Sequence, residues 1–230
     1  MESLIGKEIE GIPLGVHGSA YLELYPGYVV IRDLSGGYYE GPFQDGKKAG
    51  LGKSIASSGQ MYVGYFENDL KSGKGILRWS DKSQYYGQFE GGLRQGLGKM
   101  AFSDGSRYDG YWDRDKRQGY GRMKWSGSGE YRGNWVEDEI TGIGLMRYGK
   151  RAWYFGYFLN GVRSGFGLFH QTSGKVYIGE FADNRKDGFG LETSVDGSQT
   201  RGLFVKGKKS SQHGAVLPNG ESNAMSWPVS

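Results

Sequence analysis

The sequence predicts an all-β fold built from short repeated hairpins, and a strict internal period is the main reason. The motif Tyr-x-Gly-x-(Phe/Trp) recurs every 23 residues without insertion or deletion. Glycine contributes 43 of the 230 residues, yet aromatic residues reach 15%, which is too high for a disordered glycine-rich linker. A fixed period in this range is typical of repeat proteins. The motif tyrosines are Tyr39, Tyr62, Tyr85, Tyr108, Tyr131, Tyr154 and Tyr177.

Each repeat is predicted to contain two strands when its positions are counted from the tyrosine as position 1. Positions 1, 3 and 5 hold Tyr, Gly and Phe or Trp and alternate with variable residues, which is the periodicity of a strand. Positions 12, 14, 16 and 18 alternate in the same way, so we predict strands near positions 1–6 and 12–18. Turn-forming pairs such as Asn68-Asp69 occupy positions 7 and 8. No long helix is expected between residues 39 and 199.

The glycines at positions 3, 12 and 14 are predicted to lie on the same face as the large rings. A missing side chain there leaves room for a ring from a neighbouring strand or repeat to lie flat on the backbone. The predicted fold is therefore an elongated, twisted single-layer antiparallel array of β-hairpins. On this interpretation, Gly119→Val should overpack the array and destabilise it by about 1–3 kcal/mol.

These columns resemble the MORN repeat (membrane occupation and recognition nexus), whose pattern is Tyr-x-Gly-x-(Trp/Phe)-x-x-Gly-x-x-x-Gly-x-Gly. The family often has His before the Gly-x-Gly, whereas this sequence has other residues there, such as Ala49 and Gln118. The expected organisation follows the repeat. It comprises an N-terminal tail (1–15), a degenerate capping repeat (16–38), seven MORN repeats (39–199), a degenerate C-terminal capping repeat (200–222) and a C-terminal tail (223–230).

The sequence contains no pattern that indicates catalysis, a metal site or a cofactor. Cysteine is absent, and His17, His170 and His213 are far apart in the array. The first residues have no basic segment followed by an apolar one, so we expect an intracellular, cytoplasmic protein rather than a secreted one. A net charge of +4 gives little reason to expect nucleic-acid binding. The prediction is that the chain is not an enzyme.

A column of cations at position 10 is one candidate site. Residues in phase should form a line along the array, which could engage anionic phospholipids such as phosphoinositides. The alternative is an ordinary solvated turn whose charge is offset by nearby acids. The column consists of Lys48, Lys71, Arg94, Arg117, Arg163 and Lys186.

An aromatic stripe at positions 2 and 4 is the second candidate site. These positions face away from the stacking rings, and an exposed aromatic stripe is typical of a partner-binding surface. The alternative is that the rings only support cross-strand pairing. The stripe consists of Tyr65, Tyr86, Tyr111, Phe155 and Tyr157.

The resemblance implies a non-catalytic scaffold that mediates protein–protein interactions within a larger cytoskeletal, ciliary or membrane-associated assembly. Two alternatives remain open at this point. One is a peripheral membrane module that binds anionic phospholipids through the basic column, and the other is a regulatory part of a larger enzyme. The open edge strands near 16–38 and 200–222 could also support a homodimer.

Overall fold

The computed structural model describes residues 20–211, with side chains from residue 26 onward. Within that range the chain forms 19 strands and no helix. The strands are β1 (Ala20–Tyr25), β2 (Tyr28–Arg32), β3 (Tyr38–Gln44), β4 (Lys47–Lys48), β5 (Gly50–Ile55), β6 (Met61–Glu67), β7 (Leu70–Arg78), β8 (Gln84–Glu90), β9 (Leu93–Ala101), β10 (Arg107–Asp113), β11 (Lys116–Lys124), β12 (Gly129–Val136), β13 (Glu139–Tyr148), β14 (Ala152–Leu159), β15 (Val162–His170), β16 (Val176–Ala182), β17 (Arg185–Thr193), β18 (Gln199–Val205) and β19 (Lys208–Lys209).

The chain divides into two compact units. The described part of the first unit comprises residues 20–127 and 135–138, and that of the second comprises residues 128–134 and 139–211. In the first unit, strands β1 to β11 pair antiparallel with their neighbours in chain order, except that β3 pairs with both β4 and β5. In the second unit, β13 to β19 do the same. The prediction of an all-β antiparallel array of hairpins is confirmed.

The turn inside each repeat is a two-residue turn in which both residues have positive φ. In the second repeat, Asn68 has φ 48° and Asp69 has φ 70°. Such turns match the twist of the flanking strands, and they favour Asn, Asp and Gly because these residues tolerate positive φ. Arg114 and Glu137 also adopt this conformation, at φ 46° and 49°. Position 7 is therefore set by the hairpin geometry even where the residue is not a typical turn former.

The second strand of each repeat begins earlier than predicted. In the second repeat, β7 starts at Leu70, which is position 9 rather than position 12. A bulge interrupts the pairing after position 3: Gly64 pairs with Gly75, but Tyr65 pairs with Ser72. The two extra residues of the bulge are positions 12 and 13. The second strand therefore starts three residues before the predicted position 12, and the hairpin is longer than predicted.

The predicted end repeats fall partly outside the described residues. At the start, β1 and β2 form a hairpin, and Val29 is fully buried. At the end, β18 and β19 form another, and Phe204 is buried. The predicted tails 1–15 and 223–230 lie outside the described residues, as do His17 and His213. The division into capping repeats and tails stays a prediction.

Candidate interaction site

One face of each unit is built from a ladder of aromatic rings. Position-1 tyrosines contact the position-5 ring of the next repeat edge to face, and Tyr62, Tyr85, Tyr108, Tyr154 and Tyr177 contact that of their own repeat in the same way. Centroid distances are 5.0–5.5 Å and interplanar angles are 81–89°. Edge-to-face packing is favourable because a positive ring edge meets a negative ring face. We call these residues the ring ladder. In the first unit it comprises Tyr39, Phe66, Tyr62, Phe89, Tyr85, Trp112, Tyr108 and Trp135, and in the second Tyr131, Phe158, Tyr154, Phe181, Tyr177 and Phe204.

Each ladder tyrosine lies flat on two glycines, at positions 3 and 14 of its own repeat. A Cβ atom added to Gly110 would lie 2.5 Å from the Tyr108 hydroxyl oxygen, and one added to Gly121 would lie 2.3 Å from it. No side chain fits between ring and backbone at these distances. The predicted role of the glycines at positions 3 and 14 is therefore confirmed. The ring over Gly121 comes from the adjacent strand, which is one of the arrangements predicted, and it belongs to the same repeat.

The glycine at position 12 has a different role, and the prediction for Gly119 is corrected. Gly119 has φ +62°, and a Cβ added there would only touch the Tyr111 Cβ at 3.7 Å. This glycine is required by the left-handed backbone of the bulge, not by a ring above it. The bulge also leaves the carbonyl of position 4 free for the ladder, since the Tyr108 hydroxyl donates to the Tyr111 carbonyl at 3.0 Å.

The predicted cation column lies against the ring ladder. The Arg94 guanidinium carbon is 4.1 Å from the Trp112 ring centroid, and that of Arg117 is 4.2 Å from the Trp135 centroid. In the second unit, Arg163 lies over Phe181 at 5.3 Å and Lys186 lies over Tyr177 at 5.0 Å. A cation over an aromatic face is stabilised by the ring quadrupole, and more strongly where it is shielded from water. The column therefore covers the ladder.

Two of these cations also pair with a carboxylate from position 8 of the following repeat, and Lys186 pairs with Glu192 of its own repeat. Arg94 Nε lies 2.8 Å from Asp115 Oδ1, and Arg117 Nε lies 2.7 Å from Asp138 Oδ1. The same aspartates accept the backbone N–H groups of the two arginines at 2.9 Å. Cations held in this way offer less charge to an external anion. Phosphoinositide binding by the whole column stays a prediction, and this pairing counts against it.

The opposite face of the sheet, which we call the outer face, carries positions 2, 4, 13 and 15. In strand β14, positions 1, 3 and 5 are buried while positions 2 and 4 are exposed. All five residues of the predicted aromatic stripe are exposed here, by 41–52%. Tyr65, Tyr86 and Tyr111 belong to the first unit, and Phe155 and Tyr157 belong to the second. Their role as a partner-binding site stays a prediction.

In the second unit, the outer face carries a continuous apolar row that crosses five strands. Leu145 pairs with Phe155, Phe155 with Leu168, Leu168 with Ile178, and Ile178 with Leu191. Phe155 and Ile178 are exposed by 52% and 38%. The equivalent row of the first unit is interrupted by charge, because Lys53 pairs with Val63 and Tyr86 pairs with Lys99. The more apolar surface is therefore in the second unit. We call Leu145, Phe155, Leu168, Ile178 and Leu191 the apolar row.

A second set of exposed apolar residues lies on the outer face and was not among the predicted site residues. Position 13 lies between the two glycines of Gly-x-Gly and is apolar in six of the seven repeats. In each of these six it is exposed by 57–67%. The repeat period contained this signal, because a side chain between two ring-facing glycines must point to the other face. The column consists of Leu51, Leu97, Tyr120, Ile143, Phe166 and Phe189.

The described residues contain no group of three or more His, Asp or Glu side chains arranged to hold a metal ion. Between residues 20 and 211, no helix is long and apolar enough to cross a membrane.

The repeat geometry defines a class of β-hairpin repeat proteins with a glycine-covering tyrosine in every unit. The family model that matches the chain is that of the MORN repeat, at residues 39–61, 62–84, 85–107, 108–129, 131–151, 154–176 and 177–199. The matches cover more than half of the sequence, and the chain belongs to the MORN-repeat family. A search of curated proteins finds no significant sequence match.

Solved structures similar to this chain include two related domains. One is the TCP10 domain of CPAP from Danio rerio, with a TM-score of 0.47 and 10% identity, covering 85% of this chain and 98% of that one. The other is the TCP domain of SAS-4 (dCPAP) from Drosophila melanogaster, solved in complex with a proline-rich motif of Ana2 (dSTIL). Its TM-score is 0.38 with 9% identity, and the match covers 89% of this chain and 99% of that one.

Proposed function

We propose that this MORN-repeat chain is a non-catalytic scaffold that binds a partner protein through the outer face of its second unit. The observation that carries the proposal is the apolar row, a line of five large apolar residues on adjacent strands in which Phe155 and Ile178 are exposed and the three leucines are half-buried. Trp153 and His170 pair beside it and stack at 5.8 Å and 3°, so the aromatic surface continues into the next row. Contiguous exposed apolar surface of this kind is typical of interaction sites.

The spacing of the apolar row favours an amphipathic helix as the occupant. Adjacent strands are about 4.8 Å apart, so five strands place the row's side chains along about 19 Å. A helix lying across the strands presents one apolar residue per turn of about 5.4 Å along its i, i+3/i+4, i+7 stripe. The strand spacing and the helix pitch are similar enough for a helix of three to four turns to follow the row. Phe155 offers the largest ring as an anchor.

We further propose that the protein acts inside the cell, as one component of a larger cytoskeletal, ciliary or membrane-associated assembly. The support is the family membership together with the outer face, since repeat arrays present extended surfaces rather than pockets. The identity of that assembly follows from the partner, which the experiment below is designed to find.

The test compares two variants of the second unit in the native cell. Phe155→Ser with Ile178→Ser removes the two exposed members of the apolar row, and Val195→Ser removes a residue that is 75% exposed in a turn outside the row. Both variants should keep the far-ultraviolet circular dichroism and melting behaviour of the parent, because the altered side chains are exposed. Quantitative mass spectrometry of co-purified proteins should show components lost only from the double variant.

Two outcomes would contradict the proposal. If the double variant folds and retains every component that the Val195→Ser control retains, the apolar row is not the binding surface. If sedimentation shows that the parent is a dimer and that the double variant is a monomer, the row is occupied by a second copy of the chain rather than by a partner helix.

A further inference from the structure

At Lys71 the cation column lacks the acid that pairs Arg94 and Arg117, and among the described residues Lys71 has no substitute carboxylate of the kind that Glu192 provides for Lys186. A position-10 cation meets the residue at position 8 of the next repeat, as in the Arg94–Asp115 and Arg117–Asp138 ion pairs. For Lys71, the residue at that place is Gly92. The backbone geometry is unchanged, since the Gly92 N–H donates to the Lys71 carbonyl at 2.9 Å, as Asp115 N–H does to the Arg94 carbonyl at 3.1 Å. Only the carboxylate is missing.

The Lys71 ammonium is consequently a half-buried charge without an ion-pair partner. No carboxylate in residues 26–211 lies within 4.0 Å of its Nζ atom. Burial lowers the pKa of Lys71, and the Asp115 charge opposes that effect only in part. A buried cation costs free energy unless a counter-charge compensates it.

Lys71 lines a cavity of about 170 Å³ on the ladder face of the first unit. Its polar lining also includes Lys48, Ser54, Gln60 and Asp69. The Lys48 ammonium lies 5.2 Å from the Tyr39 ring centroid, and no ion pair holds it among the described residues. Asp69 already accepts the Lys48 backbone N–H at 2.9 Å. The cavity thus combines two ammonium groups and two neutral hydrogen-bonding side chains with a single carboxylate.

We propose that this cavity binds an oxyanion, either a phosphate monoester or a carboxylate, carried by a side chain of a protein partner. The source of the oxyanion rests on the proposed scaffold function. A membrane is the less suitable source, because the next cations along the column, Arg94 and Arg117, are already paired within the chain. Membrane attraction grows with the number of free cations at the surface, whereas one oxyanion needs only this cavity.

The array itself supplies the variant that closes the site. Gly92 has φ +86°, and the aspartates at the equivalent places, Asp115 and Asp138, have φ 68° and 72°. A Cβ added to Gly92 would meet only Leu70 Cδ2, at 3.7 Å, which is an ordinary contact. Gly92→Asp should therefore fold like its neighbours and place a carboxylate beside Lys71. Gly46→Asp is the matched control, since Gly46 has φ +77° at the same turn position and nothing within 4 Å.

The experiment is a titration of the full chain with inorganic phosphate at constant ionic strength, followed by backbone amide NMR. In the parent and in Gly46→Asp, saturable shifts are expected at Lys71, Ser54 and Gln60. Gly92→Asp and Lys71→Met should bind phosphate at least tenfold more weakly. Shifts that do not saturate, or that are equal in Gly92→Asp and Gly46→Asp, would overturn the proposal.

A second arm identifies the source of the oxyanion. The parent should not co-sediment with vesicles of phosphatidylcholine that contain phosphoinositide. Vesicle binding by the parent that is lost in Gly92→Asp would overturn the assignment to a protein side chain. The two functional proposals fail separately. If phosphate does not bind while the Phe155/Ile178 variant still loses its partner, only the oxyanion site is wrong. If that variant keeps every partner while phosphate binds, the scaffold function and the assignment of the oxyanion to a protein partner are wrong, but the oxyanion site itself is supported.

Discussion

Replacing Gly121 with alanine should remove Tyr108 from its place in the ring ladder. The added Cβ would lie 2.3 Å from the Tyr108 hydroxyl oxygen and 2.6 Å from its Cζ atom, well inside contact distance. Gly121 is outside the left-handed region, so the clash with the ring is the only penalty. Tyr108 is 1% exposed between Trp112 and Trp135 and has no space to shift sideways.

The expected loss of stability is about 3 kcal/mol. Removing a large aromatic side chain from a packed position costs about 3–5 kcal/mol, and losing the hydroxyl's hydrogen bond to the Tyr111 carbonyl adds about 1 kcal/mol. Part of this is recovered, because the expelled ring keeps some contacts and because Gly→Ala reduces the entropy of the unfolded chain by about 0.4–1 kcal/mol. If the ring is displaced rather than expelled, the loss of stability should be smaller, about 1–3 kcal/mol.

The assay is urea denaturation followed by tryptophan fluorescence, to which the ladder residues Trp112 and Trp135 contribute. Gly127→Ala is the control, because a Cβ there meets nothing within 4 Å and its φ is not positive. The control should unfold within about 0.5 kcal/mol of the parent. Equal midpoints for Gly121→Ala and Gly127→Ala would refute the claim that tyrosine stacking on glycine holds the repeat together.

Three further predictions follow from the same geometry. Gly119→Asn should cost about 1–2 kcal/mol less than Gly119→Val in urea denaturation, because Asn tolerates the φ of +62° at the bulge; equal costs would point to overpacking instead. Burial raises the pKa of Tyr62 to about 12, against about 10 for an unfolded tyrosine, so stability should be complete below about pH 10 and fall as the pH rises toward 12. Circular dichroism and the NMR chemical shift of the Tyr62 ring should change together, and ionisation of Tyr62 near pH 10 with an intact sheet would contradict this. Tyr111→Ser with Tyr157→Ser should leave the melting temperature nearly unchanged, because both rings are on the outer face; unfolding would show that they are core.

The sequence was sufficient to predict the hairpin repeat and both sets of glycines that face the ring. It could not show that each tyrosine folds over its own repeat, because the period alone does not say which neighbouring strand a ring crosses. The prediction also grouped Gly119 with the glycines that face the ring. Gly119 has its own role because of the bulge, which is a shift in strand register. Such a shift leaves no trace in the sequence, because position 12 is glycine in every repeat.

The placement of the cations was outside the reach of sequence reasoning for a similar physical reason. Arg117 and Asp138 are 21 residues apart, an offset that is neither the period nor a local spacing. They meet because the bulged hairpin brings position 10 of one repeat beside position 8 of the next. The outer face is different, since the exposed position-13 residues follow from alternation between two glycines. That column could have been predicted.

The most direct test of the scaffold function is site-specific photo-cross-linking in the native cell. A benzophenone amino acid at position 155 lies in the apolar row, and one at position 34 replaces Leu34, which is 86% exposed and outside the row. We expect a defined protein adduct from position 155, mapped to an amphipathic helix of the partner and abolished by Leu168→Ser in the same chain. Adducts that are equal from positions 155 and 34, or that persist with Leu168→Ser, would contradict it.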